Sequence, residues 1–165
     1  MRTIRIIAAL TFCIIVSIPA LSQKYTPKNS RNYEIINLES GTNTKTFKIY
    51  VIEKNERKAI SLAKKAAVEV CIFRGLPSSG AVSGTPALCS SADAQKYADY
   101  FERFFTPGGQ YLQYVNTTSE GRLSGNDKLK VKGGWKIGLT VQILYNNLRN
   151  DLQDAGVIRS LSSGF

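Results

Sequence analysis

Residues 129–157 read LKVKGGWKIGLTVQILYNNLRNDLQDAGV, and their pattern decides the fold. Trp135, Ile137, Leu139, Val141 and Ile143 alternate with Lys136, Gly138, Thr140 and Gln142. A period of two describes a strand with one apolar face and one wet face. The period then changes: Leu144, Leu148 and Leu152 recur every fourth residue, which is one stripe of a helix. Gly156 follows where a left-handed cap belongs, with Val157 placed to cover it. A long strand feeding directly into a capped helix is a frame on which the rest of the chain can pack.

Just upstream, Tyr111–Thr117 (YLQYVNT) reads as a second strand, continuing through Arg122-Leu123 with a bulge at Gly121. Ser124–Asp127 has turn composition and returns the chain as a hairpin. Gly133-Gly134 interrupts the long strand and calls for a bulge or a sharp bend.

Further back lie two helices. Asn55–Phe73 places Ala59, Ile60, Ala63, Ala66, Ala67 and Val70 on one face, with Ser61, Lys64 and Lys65 opposite. Its alanines favour helix and allow close approach to a sheet. Ser90–Asp93 fits a capping box, and Ala94, Tyr97, Ala98, Phe101, Phe104 and Phe105 form a core-facing stripe that Thr106–Gly109 ends. Before them, Tyr33–Leu38 and Phe47–Ile52 read as strands joined through the turn-like Glu39–Asn43. The order is ββααββα. Strands and helices in blocks indicate an α+β domain, an antiparallel sheet of about four strands with helices packed on one face.

The start of the chain is of another kind. Arg2 and Arg5 precede the apolar run Ile6–Ile18, and Pro19 precedes Ala20-Leu21-Ser22 before Gln23. This is the pattern of a secretory signal peptide, residues 1–22. The run is short for a membrane anchor, which needs about 20 apolar residues. Cys13 lies inside it behind Phe12, where lipidation would require a small residue. Residues 23–32 are polar and read as a flexible linker, leaving 33–165 as a single domain. The expected location is therefore exported, periplasmic or envelope-associated, with no stable membrane span once the signal is cleaved.

Without that segment two cysteines remain, Cys71 and Cys89. In an oxidising compartment a disulfide between them is the expectation, worth about 3 kcal/mol by loop entropy; two buried free thiols are the alternative. The bond would close off Arg74–Leu88, a stretch rich in Gly, Ser and Pro that reads as a long surface loop, either one that contacts a partner or a solvated insertion with no task.

Little in the composition points to catalysis. The chain has no histidine, so the commonest general base and metal ligand are missing. It has no G-x-S-x-G elbow and no phosphate-binding G-x-x-x-x-G-K-[ST] loop. The pairs Asp151/Asp154 and Asp99/Glu102 lie three apart on helices, the spacing of a solvated polar face. Neither an enzyme nor a cofactor or metal is expected. The net charge is +10, falling by two to +8 without Arg2 and Arg5. Lys128, Lys130 and Lys132 alternate, with Lys136 beyond them and Arg74 at the head of the loop. Such a row could meet phosphates or acidic sugars, or it could protect a strand edge from aggregation.

The segments KAISLAKKAAVEVCIFRGLP, YADYFERFFTPGGQYLQYV and WKIGLTVQILYNNLRNDLQDAGVI together resemble uncharacterised exported envelope proteins of Gram-negative gut-type bacteria. More distantly, the alanine-rich helix and the strand leading into L-R-x-x-L look like the FlgT N-terminal and related lipoprotein domain group. The resemblance implies a small domain that takes part in envelope assembly without catalysis, and it carries no functional residues. The expected function is a non-catalytic exported binding or assembly module of the bacterial cell envelope with an envelope protein as partner. The alternative is a soluble module binding an anionic ligand (acidic glycan, lipid headgroup or nucleic acid) through the lysine-rich strand.

Overall fold

The computed structural model describes residues 33–118, 123 and 125–159. The signal peptide and linker expected over 1–32, and the strand continuation expected at Gly121-Arg122, lie outside the described residues. Within them the α+β expectation is met. Strand β1 (Glu34–Ser40) and strand β2 (Lys45–Glu53) form an antiparallel hairpin, followed by helix α1 (Glu56–Phe73). Two short helices follow, α2 (Ser91–Lys96) and α3 (Ala98–Phe104), then strands β3 (Val115–Thr117), β4 (Lys128–Val131) and β5 (Gly134–Ile143), and helix α4 (Tyr145–Asp154). The strand order is β1-β2-β5-β3, with β4 also paired to β5. All pairings are antiparallel.

The alternation read in β5 sets the layers. Ile137, Leu139, Val141 and Ile143 are fully buried, and in register they stand beside Val51, Ile49, Phe47 and Lys45 of β2. Cross-strand partners share a face, so this is the side that the helices cover. Ala59, Ala63, Ala66 and Ala67 of α1 are 0 % exposed. Their small side chains bring the helix close to β2 and β5. Leu148 and Leu152 of α4 and Phe101 and Phe104 of α3 complete the same core. Each large side chain so buried contributes about 1.5–3 kcal/mol. Aromatic edges add to this where α1 meets α3: Phe73 and Phe101 are T-shaped at 4.8 Å between centroids.

The end of α4 follows the sequence closely. Gly156 is left-handed (φ 67°), its N–H bonds Gln153 O, and Val157 N–H bonds Leu152 O. These two bonds make a Schellman motif, and Val157 is buried over it. At the start of α1, Asn55 accepts from the N–H groups of Arg57 and Lys58.

Four expectations need correction. The long strand begins only at Gly134, because Lys132-Gly133 is the two-residue turn of a β4–β5 hairpin; Gly133, at φ 100°, makes the bend. The second helix is two helices, broken at Tyr97 (φ −103°, ψ 28°), although its apolar stripe runs on through the break. Most of the strand expected at 111–117 is a 3₁₀ turn, Gln110–Tyr114; Tyr111 and Tyr114 are both buried, a spacing of three that a turn satisfies and a strand cannot.

The fourth correction concerns the cysteines. Cys71 and Cys89 are both free thiols and both buried, so the expected disulfide is not formed. Backbone hydrogen bonds close the ring instead: Leu88 N–H to Cys71 O (3.2 Å) and Cys89 N–H to Ile72 O (2.8 Å). The stretch between them is not an irregular loop either. Leu76 exchanges hydrogen bonds with Thr85, and Ser79 with Val82, in a narrow antiparallel ladder. That ladder docks on β1, where Asn37 N–H donates to Ser79 Oγ and Asn37 Nδ2 donates to Pro77 O and Ser83 O. Asn37 stands opposite Phe47 on the helix-bearing side, just before a bulge between Asn37 and Glu39. The ladder thereby shields an edge strand.

Candidate binding surface

Among the described residues no α-helix covers the other side of the sheet; only the 3₁₀ turn Gly125–Asp127 lies on it. That side is built from the wet half of the alternation: Lys48, Tyr50 and Ile52 of β2, Lys136, Gly138 and Thr140 of β5, Glu34 and Ile36 of β1, and Leu129 of β4. Register places Glu34 beside Tyr50 and Tyr50 beside Gly138, and it places Ile52 beside Lys136 and Lys136 beside Leu129.

Gly138 is the centre of this surface. A Cβ there would lie 2.6 Å from Tyr50 Cε1 and 3.2 Å from Asp127 Oδ1. The missing side chain is what lets the ring and the carboxylate lie down on the sheet. Asp127 then receives Lys48 Nζ at 2.8 Å, and that hydrogen bond holds the Lys48 pKa above its ordinary value, against partial desolvation. On the other flank, Lys136 Nζ lies 4.7 Å from the Tyr50 ring centroid and pairs with Glu34 Oε2 at 2.5 Å. Two cations and two carboxylates cancel. What projects beyond this neutral cluster is apolar: Ile36 is 41 %, Ile52 56 % and Leu129 54 % exposed.

The lysines expected to form a row are therefore divided. Lys128 and Lys130 are in β4, beside Ile137 and Trp135; Lys132 sits in the turn; Lys136 is on the opposite face, beside Leu129. Lys128 is ion-paired with Glu56 and lies 4.8 Å from the Trp135 ring centroid. Arg74 donates to Tyr33 O at 3.2 Å, just ahead of β1. Lys130 and Lys132 are exposed.

Tyr114 Oη donates to Asp151 Oδ2 at 2.5 Å; burial and that hydrogen bond push the phenol well above its usual range. Burial pushes the Cys71 thiol up to about 12 and the Cys89 thiol up to about 11, so neither is a nucleophile at neutral pH. Among the described residues no three His, Cys, Asp or Glu side chains are grouped to hold a metal ion, and no helix is long and apolar enough to cross a membrane.

Sequence reasoning missed two features. The Tyr50–Gly138 contact joins residues 88 positions apart, and only the register reveals it. The second is a basic cleft holding Lys45, Tyr145, Arg149 and Arg159, residues dispersed in sequence and clustered by the packing of α4. No protein-family model, no curated protein and no solved structure matches the chain.

Proposed function

We propose that the protein is a non-catalytic binding and assembly module of the bacterial cell envelope, exported through residues 1–22, and that a protein partner docks on the open sheet face. The observation that carries this reading is the pairing of charge on that face. Lys48 with Asp127 and Lys136 with Glu34 leave no net charge to attract a polyanion, while Ile36, Ile52 and Leu129 stay in water. Neutralised charge around projecting apolar side chains suits a protein surface, where aromatic and aliphatic anchors are buried inside a polar rim.

The test is a photo-crosslinking residue placed in cells at Ile52, at Leu129 and, as a control on the exposed face of α1, at Ser61. The expected result is one adduct of the same mass at Ile52 and Leu129, absent at Ser61 and lost when Tyr50→Asp is added. The same adducts at Ser61, or none anywhere, would overturn the reading. So would an unprocessed protein that stays in the cytoplasm.

A soluble module binding an acidic glycan, lipid headgroup or nucleic acid through the lysine-rich strand is the second reading, favoured by the +10 charge. With Lys128 and Lys136 already paired, it rests on Lys130 and Lys132. It requires retention on heparin or phosphate resin that falls steeply with salt and is lost in a Lys130→Gln/Lys132→Gln variant.

A further inference from the structure

The helix-bearing side of the domain holds a cleft of about 540 Å³ between the β1–β2 turn, the end of the 76–85 ladder and α4. Lys45, the first residue of β2, lies in its wall and is only 9 % exposed. Its Nζ donates to Ser40 Oγ (2.9 Å) and Gly41 O (2.8 Å) and stands 5.2 Å from the Tyr145 ring centroid. An ammonium has three N–H donors, so one is left. No carboxylate pairs with it among the described residues. One turn along α4 from Tyr145 is Arg149, whose Nε is buried without a hydrogen-bond partner. Arg159 adds a third cation, and Asp93 is the single acid in the lining. The Asp93 carboxylate is already engaged, accepting from Ser90 Oγ at 2.7 Å in the cap of α2.

A buried ammonium costs free energy unless its donors are met, and with the Arg149 Nε closed off from solvent the terminal guanidinium N–H groups are the donors that Arg149 can offer to the cleft. The two cations flank one tyrosine ring and line one cavity. Ala87, Leu88 and Ile158 supply apolar wall around them. The volume lies in the range of small-ligand sites and is much larger than a bare inorganic anion needs. A wider groove of about 720 Å³ along Tyr100 and Gln113 carries a single cation, Arg103, and offers a charged ligand less.

We infer that this cleft binds a small organic anion, a carboxylate or phosphate ester borne on an apolar or aromatic body. Arg149 takes the anion through charge-assisted hydrogen bonds, Lys45 gives its third N–H, Arg159 closes the rim, and the body lies against Tyr145 and Ile158. Lys45 shares the face of Ile143, its partner in register, so the cleft and the open sheet face are on opposite sides of the sheet. The two sites can therefore fail separately.

The experiment is calorimetric titration of the full chain at low salt with two probes, phenyl phosphate and benzoate, alongside ring-proton spectra of Tyr145. Saturable binding of either probe is expected, with the Tyr145 resonances shifting in step. Preference for one probe assigns the ester or the carboxylate; both outcomes support the site. Arg149→Gln should weaken binding at least about tenfold, the scale of a lost charge-assisted hydrogen bond. Arg159→Gln should weaken it less, and Lys130→Gln should leave it unchanged. If Arg149→Gln fails to fold, Arg159→Gln and the Tyr145 shifts decide. No saturation by about 10 mM of either probe, the weak end of specific recognition, would overturn the inference. So would unaltered affinity in both arginine variants, or binding without a Tyr145 shift.

Discussion

The Tyr50 ring occupies the place that a side chain at Gly138 would fill: the two are partners in register, and a Cβ at 138 would come within 2.6 Å of Cε1. What it would strike is the end of a side chain that can swing away, on a face open to water. Gly138→Ala should therefore cost little stability, within about 1 kcal/mol, because the relief of glycine's extra chain entropy offsets the displaced ring. Gly134→Ala is the contrast. That Cβ would lie 2.6 Å from the backbone oxygen of Glu53, at φ 148°, where neither the chain nor the conformation can yield. Its expected cost is about 2 kcal/mol or more. Urea melts of the two variants check the difference, and the crosslink at Ile52 should suffer more from Gly138→Ala than the melt does.

Cys71 and Cys89 should behave as protected thiols. In the native protein both resist alkylation at pH 8 and both react on unfolding, and a reducing agent leaves the melting temperature unchanged within about 1 °C. A disulfide would make reduction cost about 3 kcal/mol, a drop of several degrees. Mass spectrometry before and after reduction gives the same answer without a melt.

The same burial fixes a pH dependence. The folded thiols hold their protons up to about 12 and about 11, whereas the unfolded thiols lose theirs near 9.0. Above that pH the unfolded state binds fewer protons, so stability falls as pH rises. Each thiol contributes a slope of about 1.4 kcal/mol per pH unit inside its window. Tyr114, Tyr100 and Tyr145, also raised by burial, steepen the loss above 10.0. Denaturant midpoints between pH 8 and pH 11 should decline, and Cys71→Ala should flatten the first part of the decline.

Asn37 is the anchor of the 76–85 ladder. Asn37→Ala would leave Pro77 O and Ser83 O without the donors they now have. Each acceptor stranded in that way costs about 1–3 kcal/mol if water cannot reach it. The expected signature is local: faster hydrogen exchange at Leu76, Ser79, Val82 and Thr85, whose amides form the ladder, with little change in α4. Uniform acceleration throughout the domain would show that the ladder belongs to the core.

Removing the lysine charges of the β4 hairpin should barely affect the fold. Lys130→Ala and Lys132→Ala are expected within about 0.5 kcal/mol of the parent, and Lys128→Ala, which loses Glu56 and the Trp135 ring, within about 1 kcal/mol. Chemical melts at low and high salt measure the difference, which should shrink for Lys128→Ala as salt screens the pair.

What the sequence determined alone was everything set by local periodicity. The alternation from Trp135 to Ile143, the fourfold spacing of Leu144, Leu148 and Leu152, the Gly156 cap, the alanine face of α1 and the Asn55 boundary are each read from neighbours along the chain, because burying one face imposes a period. The bend at Gly133 and the buried pair Tyr111/Tyr114 were visible as residues but not as a hairpin turn and a 3₁₀ turn. Their conformations follow from where β5 and α3 already lie. The state of Cys71 and Cys89, the docking of the ladder on Asn37, the division of the lysines between two faces, the Tyr50–Gly138 contact and the meeting of Lys45 with Arg149 were decided by tertiary structure alone. In each, the energy comes from groups dozens of residues apart, and strand register and helix placement select the partner.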